Sequence, residues 1–258
     1  MHFAFLGTSA ALSSLRRDST SLVFVGDEEA VLVDCGGSPL QKLRLAAVDP
    51  TRLALVIVTH LHADHAYGLP SLVHSLMLLQ RVEPLRVACR EEHVDRLRVL
   101  LGVFGLRDRP GMFPVVLEPV PARARVPVAV TASFSITASP NAHGAMPNMA
   151  LRFEPRGGGS AVVYSSDTAP CREVVDLARG AHTLIHEATF SARATARPGV
   201  HSTAAEAGAV AAEAGVRRLI LTHIDPAHHE EVEMLAAEAR ERFAGPVEIA
   251  EEFVPYPL

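Results

Sequence analysis

The sequence is poor in cysteine and has no hydrophobic run long enough to cross a bilayer. Its three cysteines, Cys35, Cys89 and Cys171, are scattered, and no two of them have the spacing of metal ligands. They therefore indicate reduced thiols and a cytoplasmic protein. No apolar run approaches the ~20 residues that a membrane-spanning helix needs, so we expect no membrane partner. The apolar residues 1–6 follow no basic flank and predict a first strand, not a signal peptide.

Lysine is almost absent. Lys42 is the only lysine and all other basic residues are arginine, a compositional bias to which we attach no function. The formal net charge of −5 argues against a large nucleic-acid surface, although a local basic patch would be compatible with it. The stretch 81–109 is rich in arginine and predicts either a phosphate-binding surface or, more commonly, a solvated helix face. Its arginines are Arg81, Arg86, Arg90, Arg96, Arg98, Arg107 and Arg109.

The chain shows no repeat, low-complexity linker or break in composition, so its 258 residues predict one domain spanning 1–258. Short apolar runs between turn signals predict strands at 2–6, 21–25, 30–33, 53–58, 128–130, 133–138, 149–154, 161–165, 183–186 and 219–222. Helical spacing predicts helices at 39–47, 69–79, 91–101, 172–178, 203–214 and 230–243, with a meandering edge at 107–127. Each half proceeds from strands to helices, which predicts the α/β class and a four-layer α/β/β/α sandwich.

A cluster of metal-ligand side chains begins at His60, directly after a predicted buried strand, and reads His-Leu-His-Ala-Asp-His. Imidazole and carboxylate are the ligands that Zn²⁺ prefers when one coordination position must stay open for water. His60 and His62 alternate as in an extended segment and can point the same way. Asp64 and His65 are adjacent and cannot join them at one ion unless the chain turns. The spacing therefore predicts two metal ions, one at each pair.

Three more ligand-type residues follow predicted strands. His143 comes after the strand at 133–138, Asp167 ends the run that begins at Val162, and His223 ends the run that begins at Leu219. A single histidine after a strand is usually a surface residue. Three such placements beside the first cluster indicate further ligands of a two-metal site.

The order of these motifs, preceded by Asp34 in Val-Asp-Cys-Gly, resembles the metallo-β-lactamase superfamily over nearly the whole chain. The resemblance implies two Zn²⁺ ions, with Mn²⁺, Fe²⁺ or Co²⁺ as alternatives at such ligands. It divides the predicted ligands into two sets with one bridging carboxylate: His60, His62 and His143; Asp64, His65 and His223; and Asp167 between them. It also implies that Asp34 hydrogen-bonds the ligand loop, a role compatible with a simple turn cap.

Within that superfamily the chain most resembles the ribonuclease Z branch. The motifs that carry this likeness are Phe-Leu-Gly-Thr at 5–8, Tyr-Gly-Leu-Pro at 67–70, His-Glu-Ala-Thr at 186–189 and His-Ser-Thr at 201–203. The resemblance implies phosphodiester hydrolysis by a metal-activated water, whose proton Asp64 accepts. It further implies that Glu187 orients His201, and that His201 stabilises the transition-state phosphate or protonates the leaving oxygen. Without metal ligands nearby, both residues would be interpreted as helix-start residues.

One departure concerns the substrate. Common bacterial members of that branch carry a long tRNA-gripping arm between the third histidine motif and the bridging aspartate, and the interval from His143 to Asp167 leaves no room for it. The substrate is therefore expected to be either an RNA 3′ end held differently or a small diester such as a cyclic nucleotide. An acyl or ester hydrolase of the same fold, a lactonase or thioesterase, is the alternative from another class.

Two other classes are disfavoured. Di-iron redox relatives replace the second histidine of the cluster by glutamate, and this chain has His62. Non-catalytic binding modules commonly lose ligands, and every predicted ligand position is filled. Relatives also commonly form homodimers, for which the apolar helix at 69–79 is either an interface or part of the core, the commoner fate of such a stripe.

Overall fold

The computed structural model describes residues 1–107, 109–194 and 199–258. Within these ranges the strands are β1 His2–Gly7, β2 Ser21–Val25, β3 Ala30–Val33, β4 Leu53–Val58, β5 Leu85–Arg90, β6 Val115–Val120, β7 Val126–Val130, β8 Phe134–Pro140, β9 Met149–Pro155, β10 Val162–Tyr164, β11 Thr183–Glu187, β12 Arg218–Thr222, β13 Val247–Ile249 and β14 Pro255–Pro257. The α-helices are α1 Pro39–Leu45, α2 Ala63–Ala66, α3 Leu69–Leu78, α4 Val94–Val103, α5 Arg172–Ala178, α6 Ala204–Ala214 and α7 Val232–Arg240.

The strands form two seven-stranded sheets, in the orders β14-β1-β2-β3-β4-β5-β6 and β13-β12-β11-β10-β9-β8-β7. In the first sheet β3 to β6 run parallel, and in the second β10 to β13 do. Ligand-binding groups of such sheets gather beyond the carboxyl ends of the parallel strands. Each sheet therefore offers a parallel part whose ends can carry functional side chains.

A central core joins the inner faces of the two sheets. Phe24 of β2 stacks on Phe153 of β9 with 3.6 Å between ring centroids, and Tyr164 is buried in the same cluster. The outer face of the first sheet packs against α1, α3 and α4, and that of the second against α5, α6 and α7. These three cores confirm the predicted four-layer α/β/β/α sandwich. No described helix has the length and apolarity needed to cross a membrane.

Several predicted boundaries were wrong. The helix expected at 91–101 begins as a 3₁₀ turn, Glu91–His93, and continues as α4 to Val103. The stretch 107–127, in which residue 108 lies outside the described residues, contains the edge strand β6 as well as the start of β7. The terminal helix is shorter than 230–243, because α7 spans Val232–Arg240. The apolar stripe of α3 lies in the outer core, as its commoner fate suggested.

Candidate metal centre

The predicted ligands gather where parallel strands of both sheets end. Asp34 follows β3, and the cluster that begins at His60 follows β4, while Asp167 and His223 follow β10 and β12 of the other sheet. Asp34 and His223 have φ angles of 62° and 56°, which non-glycine residues rarely adopt. Such backbone strain persists where the surrounding structure over-determines it, commonly at functional sites. The chain thus turns sharply at the points where it leaves the strands.

The first ligand group consists of three imidazoles and one carboxylate: His60, His62, His143 and Asp167. The Nδ1 atom of His62 lies 3.0 Å from Nε2 of His60 and 3.0 Å from Nε2 of His143. Oδ2 of Asp167 approaches Nε2 of His60 at 3.7 Å. Three ring nitrogens therefore converge on one point, which is the arrangement of donors around a cation.

The second group contains Asp64, His65, His223 and again Asp167. Oδ2 of Asp167 lies 3.3 Å from Nε2 of His65 and 3.1 Å from Nε2 of His223. Oδ2 of Asp64 lies 3.2 Å from Nε2 of His65. The short helix α2 supplies the turn that separates the pairs, because it begins after His62 and carries Asp64 and His65. The carboxylate of Asp167 is common to both groups, as the resemblance implied.

Hydrogen bonds from outside the groups fix the ring orientations. Nδ1 of His65 donates to Oδ2 of Asp34 at 2.9 Å, and Asp34 also accepts from the Thr59 amide at 2.8 Å. The Thr59 hydroxyl lies 3.1 Å from Nδ1 of His60. Nδ1 of His143 donates to the carbonyl oxygen of Val200 at 2.9 Å. Such partners leave the opposite ring nitrogen free to bind a metal ion.

The predicted Glu187–His201 pair lies beside the second group. Oε1 of Glu187 accepts from Nδ1 of His201 at 2.7 Å, and the ring centroids of His201 and His223 are 5.3 Å apart. Glu187 also accepts from the amide of Thr168 at 2.8 Å and from the hydroxyl of Thr189 at 2.8 Å. This carboxylate is completely buried, and its hydrogen bonds fix the position of the His201 ring.

Burial and neighbouring charges shift the histidine pKa values of the two groups in opposite directions. Burial, with the charge of His65 nearby, holds the pKa of His60 well below its usual value. Burial would also lower the pKa of His65, but the carboxylates of Asp167 and Asp34 outweigh it and raise that pKa well above the ordinary value. The same opposition raises the pKa of His223 to about 10, with Asp167 as the main opposing charge. The first group is therefore a set of neutral nitrogens, whereas the second binds protons strongly.

The donor set fits a divalent cation. Nε2 of His65, Nε2 of His223 and Oδ1 of Asp167 are buried and make no hydrogen bond with any residue that the structure describes. A buried polar atom without a partner costs about 1–3 kcal/mol, so such atoms call for a ligand. Neutral imidazole and carboxylate are suitable ligands for Zn²⁺ and related ions. The residues thus suit a divalent metal ion, while zinc and the number of ions stay predictions.

Two residues of the site were missed by sequence reasoning. The hydroxyl of Thr189 lies 2.9 Å from Nδ1 of His223 and bonds to Glu187, so it links a predicted ligand to the predicted catalytic pair. Thr59 links Asp34 to His60 in the same way. Position alone could have suggested both, because Thr59 precedes the first histidine and Thr189 ends the His-Glu-Ala-Thr motif.

Comparisons with known proteins agree with this architecture. A model of the β-lactamase superfamily domain matches residues 29–224. The ribonuclease Z of Methanothermobacter thermautotrophicus is 30% identical over 94% of this chain and 92% of that protein. The ribonuclease Z of Myxococcus xanthus is 31% identical, with 97% and 95% covered.

Among solved structures, the short form of human tRNase Z has a TM-score of 0.80 at 23% identity, covering 99% of this chain and 98% of that one. The metallo-β-lactamase fold protein YhfI from Bacillus subtilis has a TM-score of 0.81 at 23% identity, with 100% and 99% covered. At these identities the structural likeness establishes the fold. Together with the more similar relatives, it shows that the chain belongs to the β-lactamase superfamily and, within it, to the ribonuclease Z family of metal-dependent hydrolases.

Proposed function

We propose that this protein is a binuclear zinc-dependent phosphodiesterase of the ribonuclease Z type. The observation that carries the proposal is the 2.7 Å contact between Glu187 and His201 beside two ligand groups that share Asp167. A carbonyl substrate has no evident need for this pair, whereas a departing phosphate oxygen needs a proton or a positive charge. The pair therefore favours a phosphodiester over an acyl substrate.

The predicted residues have distinct roles in this function. His60, His62 and His143 would hold one cation, Asp64, His65 and His223 the other, with Asp167 between them. When bound, two such cations neutralise phosphate oxygens and lower the pKa of a coordinated water toward ~7.

In the proposed mechanism, Asp64 accepts the proton of the attacking water. The water oxygen bonds to phosphorus and the leaving P–O bond breaks on the opposite side. His201 is held at Nδ1 by Glu187, so its Nε2 can give a proton to the leaving oxygen.

The segment between His143 and Asp167 restricts the class of substrate. That interval holds β9 and β10, which pair as one antiparallel hairpin, so a long arm is absent from it. The alignment with the Myxococcus relative spans 297 positions against the 258 residues of this chain, so that relative carries at least 39 residues that this chain lacks. We infer an RNA 3′ end held without an arm, or a small cyclic or linear diester. A cytoplasmic location and a homodimer stay predictions.

The test is hydrolysis of bis(p-nitrophenyl) phosphate by zinc-loaded protein. Asp64→Ala should nearly abolish turnover, because it removes a ligand and the proton acceptor together. Asp27→Ala, at an exposed aspartate distant from the ligands in sequence, is the matched control and should retain full activity. A lactone and a thioester are assayed in parallel. Turnover of an acyl substrate without diester hydrolysis would refute the proposal and favour the lactonase or thioesterase alternative.

A further inference from the structure

We propose that a cavity beside the first ligand group binds a nucleotide unit next to the scissile bond, and that Arg96 holds a second phosphate of the same substrate. This inference rests on the proposed phosphodiesterase function. It adds a positioning residue and a substrate requirement, namely two phosphates separated by one nucleoside.

The cavity opens directly from the metal centre. It has a volume of about 580 Å³ and is lined by His62 and His143 on the side of the centre, and by Glu92, His93 and Arg96 from the segment that begins α4. Sites for small molecules have volumes of about 300–1,000 Å³, so one nucleotide fits this space. A substrate that extends from the metal ions toward α4 must pass through it.

The wall of the cavity is fixed relative to the metal centre. Nδ1 of His143 donates to the Val200 carbonyl, and at Gly144, where φ is +61°, a Cβ would lie only 2.9 Å from Cγ1 of Val200. At the other end of this loop, Nε2 of His93 donates to the Pro147 carbonyl at 2.7 Å. The loop is thus tied at both ends, and the distance from the ligands to α4 is set by the fold.

The chemistry of the lining suits a nucleoside better than a simple alkyl or aryl group. Met146, Pro147 and Val200 supply an apolar surface for a ring, and the exposed carboxylate of Glu92 can accept hydrogen bonds from amino or hydroxyl groups. His93 is completely buried, and burial lowers the pKa of its ring, so it adds no positive charge. The positive charge in the lining is that of Arg96.

Arg96 differs from its neighbours in the arginine-rich stretch. Arg86 pairs with Glu118, Arg90 with Glu92 and Arg98 with Asp95. Arg81 donates to backbone carbonyls. Arg96, like Arg107 and Arg109, has neither an ion pair nor a side-chain hydrogen bond to any residue in the described part of the chain, but of these three only Arg96 lines this cavity.

Arg96 is exposed at the wall of the cavity, where an unpaired guanidinium can bind a phosphate with two parallel hydrogen bonds. The scissile phosphate belongs between the two ligand groups, and Arg96 makes no hydrogen bond or ion pair with any predicted ligand. We therefore assign the neighbouring phosphate to Arg96. Most arginines of the stretch then belong to a solvated face, as its composition favoured, and Arg96 contributes to the site.

The experiment compares binding and turnover in matched variants. Arg98→Ala is the control, because Arg98 lies on the same helix but pairs with Asp95. Zinc-loaded protein is titrated calorimetrically with thymidine 3′,5′-bisphosphate and with each thymidine monophosphate. Wild type and Arg98→Ala should bind the bisphosphate about 10- to 100-fold more tightly than the monophosphates, the range for hydrogen bonds to a charged group. Arg96→Ala should lose that advantage, and Arg96→Lys should keep part of it.

Turnover separates this inference from the proposed function. Arg96→Ala should lower kcat/KM for bis(p-nitrophenyl) phosphate by much less than it weakens bisphosphate binding, since that substrate has a single phosphate, and Arg98→Ala should leave kcat/KM within twofold of wild type. Equal binding of bisphosphate and monophosphates by wild type, or an Arg96→Ala protein that keeps the difference, would overturn the inference. A parallel loss on bis(p-nitrophenyl) phosphate would overturn it as well, because Arg96 would then act at the scissile phosphate. Absence of all Asp64-dependent diester hydrolysis would instead count against the proposed function.

Discussion

At the residue scale, the site is defined by which atom of each side chain is already engaged. His143, His65 and His223 each use Nδ1 for a hydrogen bond to a carbonyl, a carboxylate or a hydroxyl. Their Nε2 atoms are then left for the centre. His201 is engaged at Nδ1 too, but by Glu187 outside both shared groups. His65 is held by Asp34 in the same way, so what separates His201 from the predicted ligands is that it belongs to neither group that shares Asp167.

We expect His201→Ala to keep its metal content and to lose activity. General acid–base groups contribute about 10²- to 10⁴-fold, so kcat on a diester should fall by that factor. Metal analysis by mass spectrometry checks that both ions remain. His74→Ala, at an exposed histidine of α3, serves as the control. Full turnover by His201→Ala would show that the histidine has no part in the chemistry.

Thr189→Val should weaken the second ligand group. The substitution removes the hydroxyl between Glu187 and Nδ1 of His223 while preserving shape. Outer partners of metal ligands are worth about 10- to 100-fold in affinity or activity, so zinc affinity should fall in that range. Competition with a chromogenic chelator measures it, and Thr189→Ser should restore it. Unchanged affinity in the valine variant would indicate that the hydroxyl only fills space.

At the element scale, glycines in two of the helices have very different surroundings. α6 begins with a capping box in which Thr203 and Glu206 bond to each other's backbone amides, and it packs closely on α7. At Gly208 a Cβ would lie 2.4 Å from the carbonyl oxygen of Ala239. At Gly102, near the end of α4, no atom of the described residues outside the adjoining helix backbone lies within 4 Å of such a Cβ. The two helical glycines therefore differ in how much space surrounds them.

This contrast gives a prediction with opposite signs. Gly102→Ala should raise the free energy of unfolding by roughly 0.5–1 kcal/mol, because alanine favours helix and the site is open. Gly208→Ala should lower it by about 1–3 kcal/mol, the usual cost of overpacking, because α6 and α7 must move apart. Urea denaturation of the metal-free protein measures both values. Stabilisation by both substitutions would show that α6 and α7 can move apart without lowering the free energy of unfolding.

At the scale of the whole molecule, two sheets that share a central core bring histidines and aspartates together where their parallel strands end. The first sheet contributes the cluster that begins at His60, and the second contributes Asp167 and His223. In the metal-free state the second group holds protons in place of a cation, since the carboxylates raise the pKa of His223 to about 10. Packing of the two sheets therefore creates a site at which protons compete with a metal ion.

Zinc binding should release protons at neutral pH. His223 is protonated at pH 7 when its pKa is about 10, and a ligand must be deprotonated, so the apparent zinc affinity should decrease as pH falls from 10 toward 6. Calorimetry in buffers of different ionisation enthalpy measures the released protons. His223→Ala should release fewer protons than wild type. If His223→Ala released as many protons as wild type on zinc binding, the protons would come from another group.

Much of the fold and site was predictable from local sequence. Six-residue apolar runs such as β4 identified strands because both faces of a parallel strand are buried. The spacing of His60, His62, Asp64 and His65 already separated two metal positions, and the structure brings all seven predicted ligands together in that grouping. Edge strand β6 was missed because Pro-rich, half-exposed segments lack a clear alternation of apolar and polar residues.

Periodicity and short-range spacing were thus enough to predict the layer order and to separate two pairs of candidate ligands, His60 with His62 and Asp64 with His65. The partners that complete the site depend on tertiary packing. Thr189 reaches His223 across 34 positions, and Arg96, unpaired among the described residues, lies beside a cavity whose wall comes from residues near 145 and 200. Contacts between residues so distant in sequence depend on how sheets and helices pack, and local pattern carries no record of that packing.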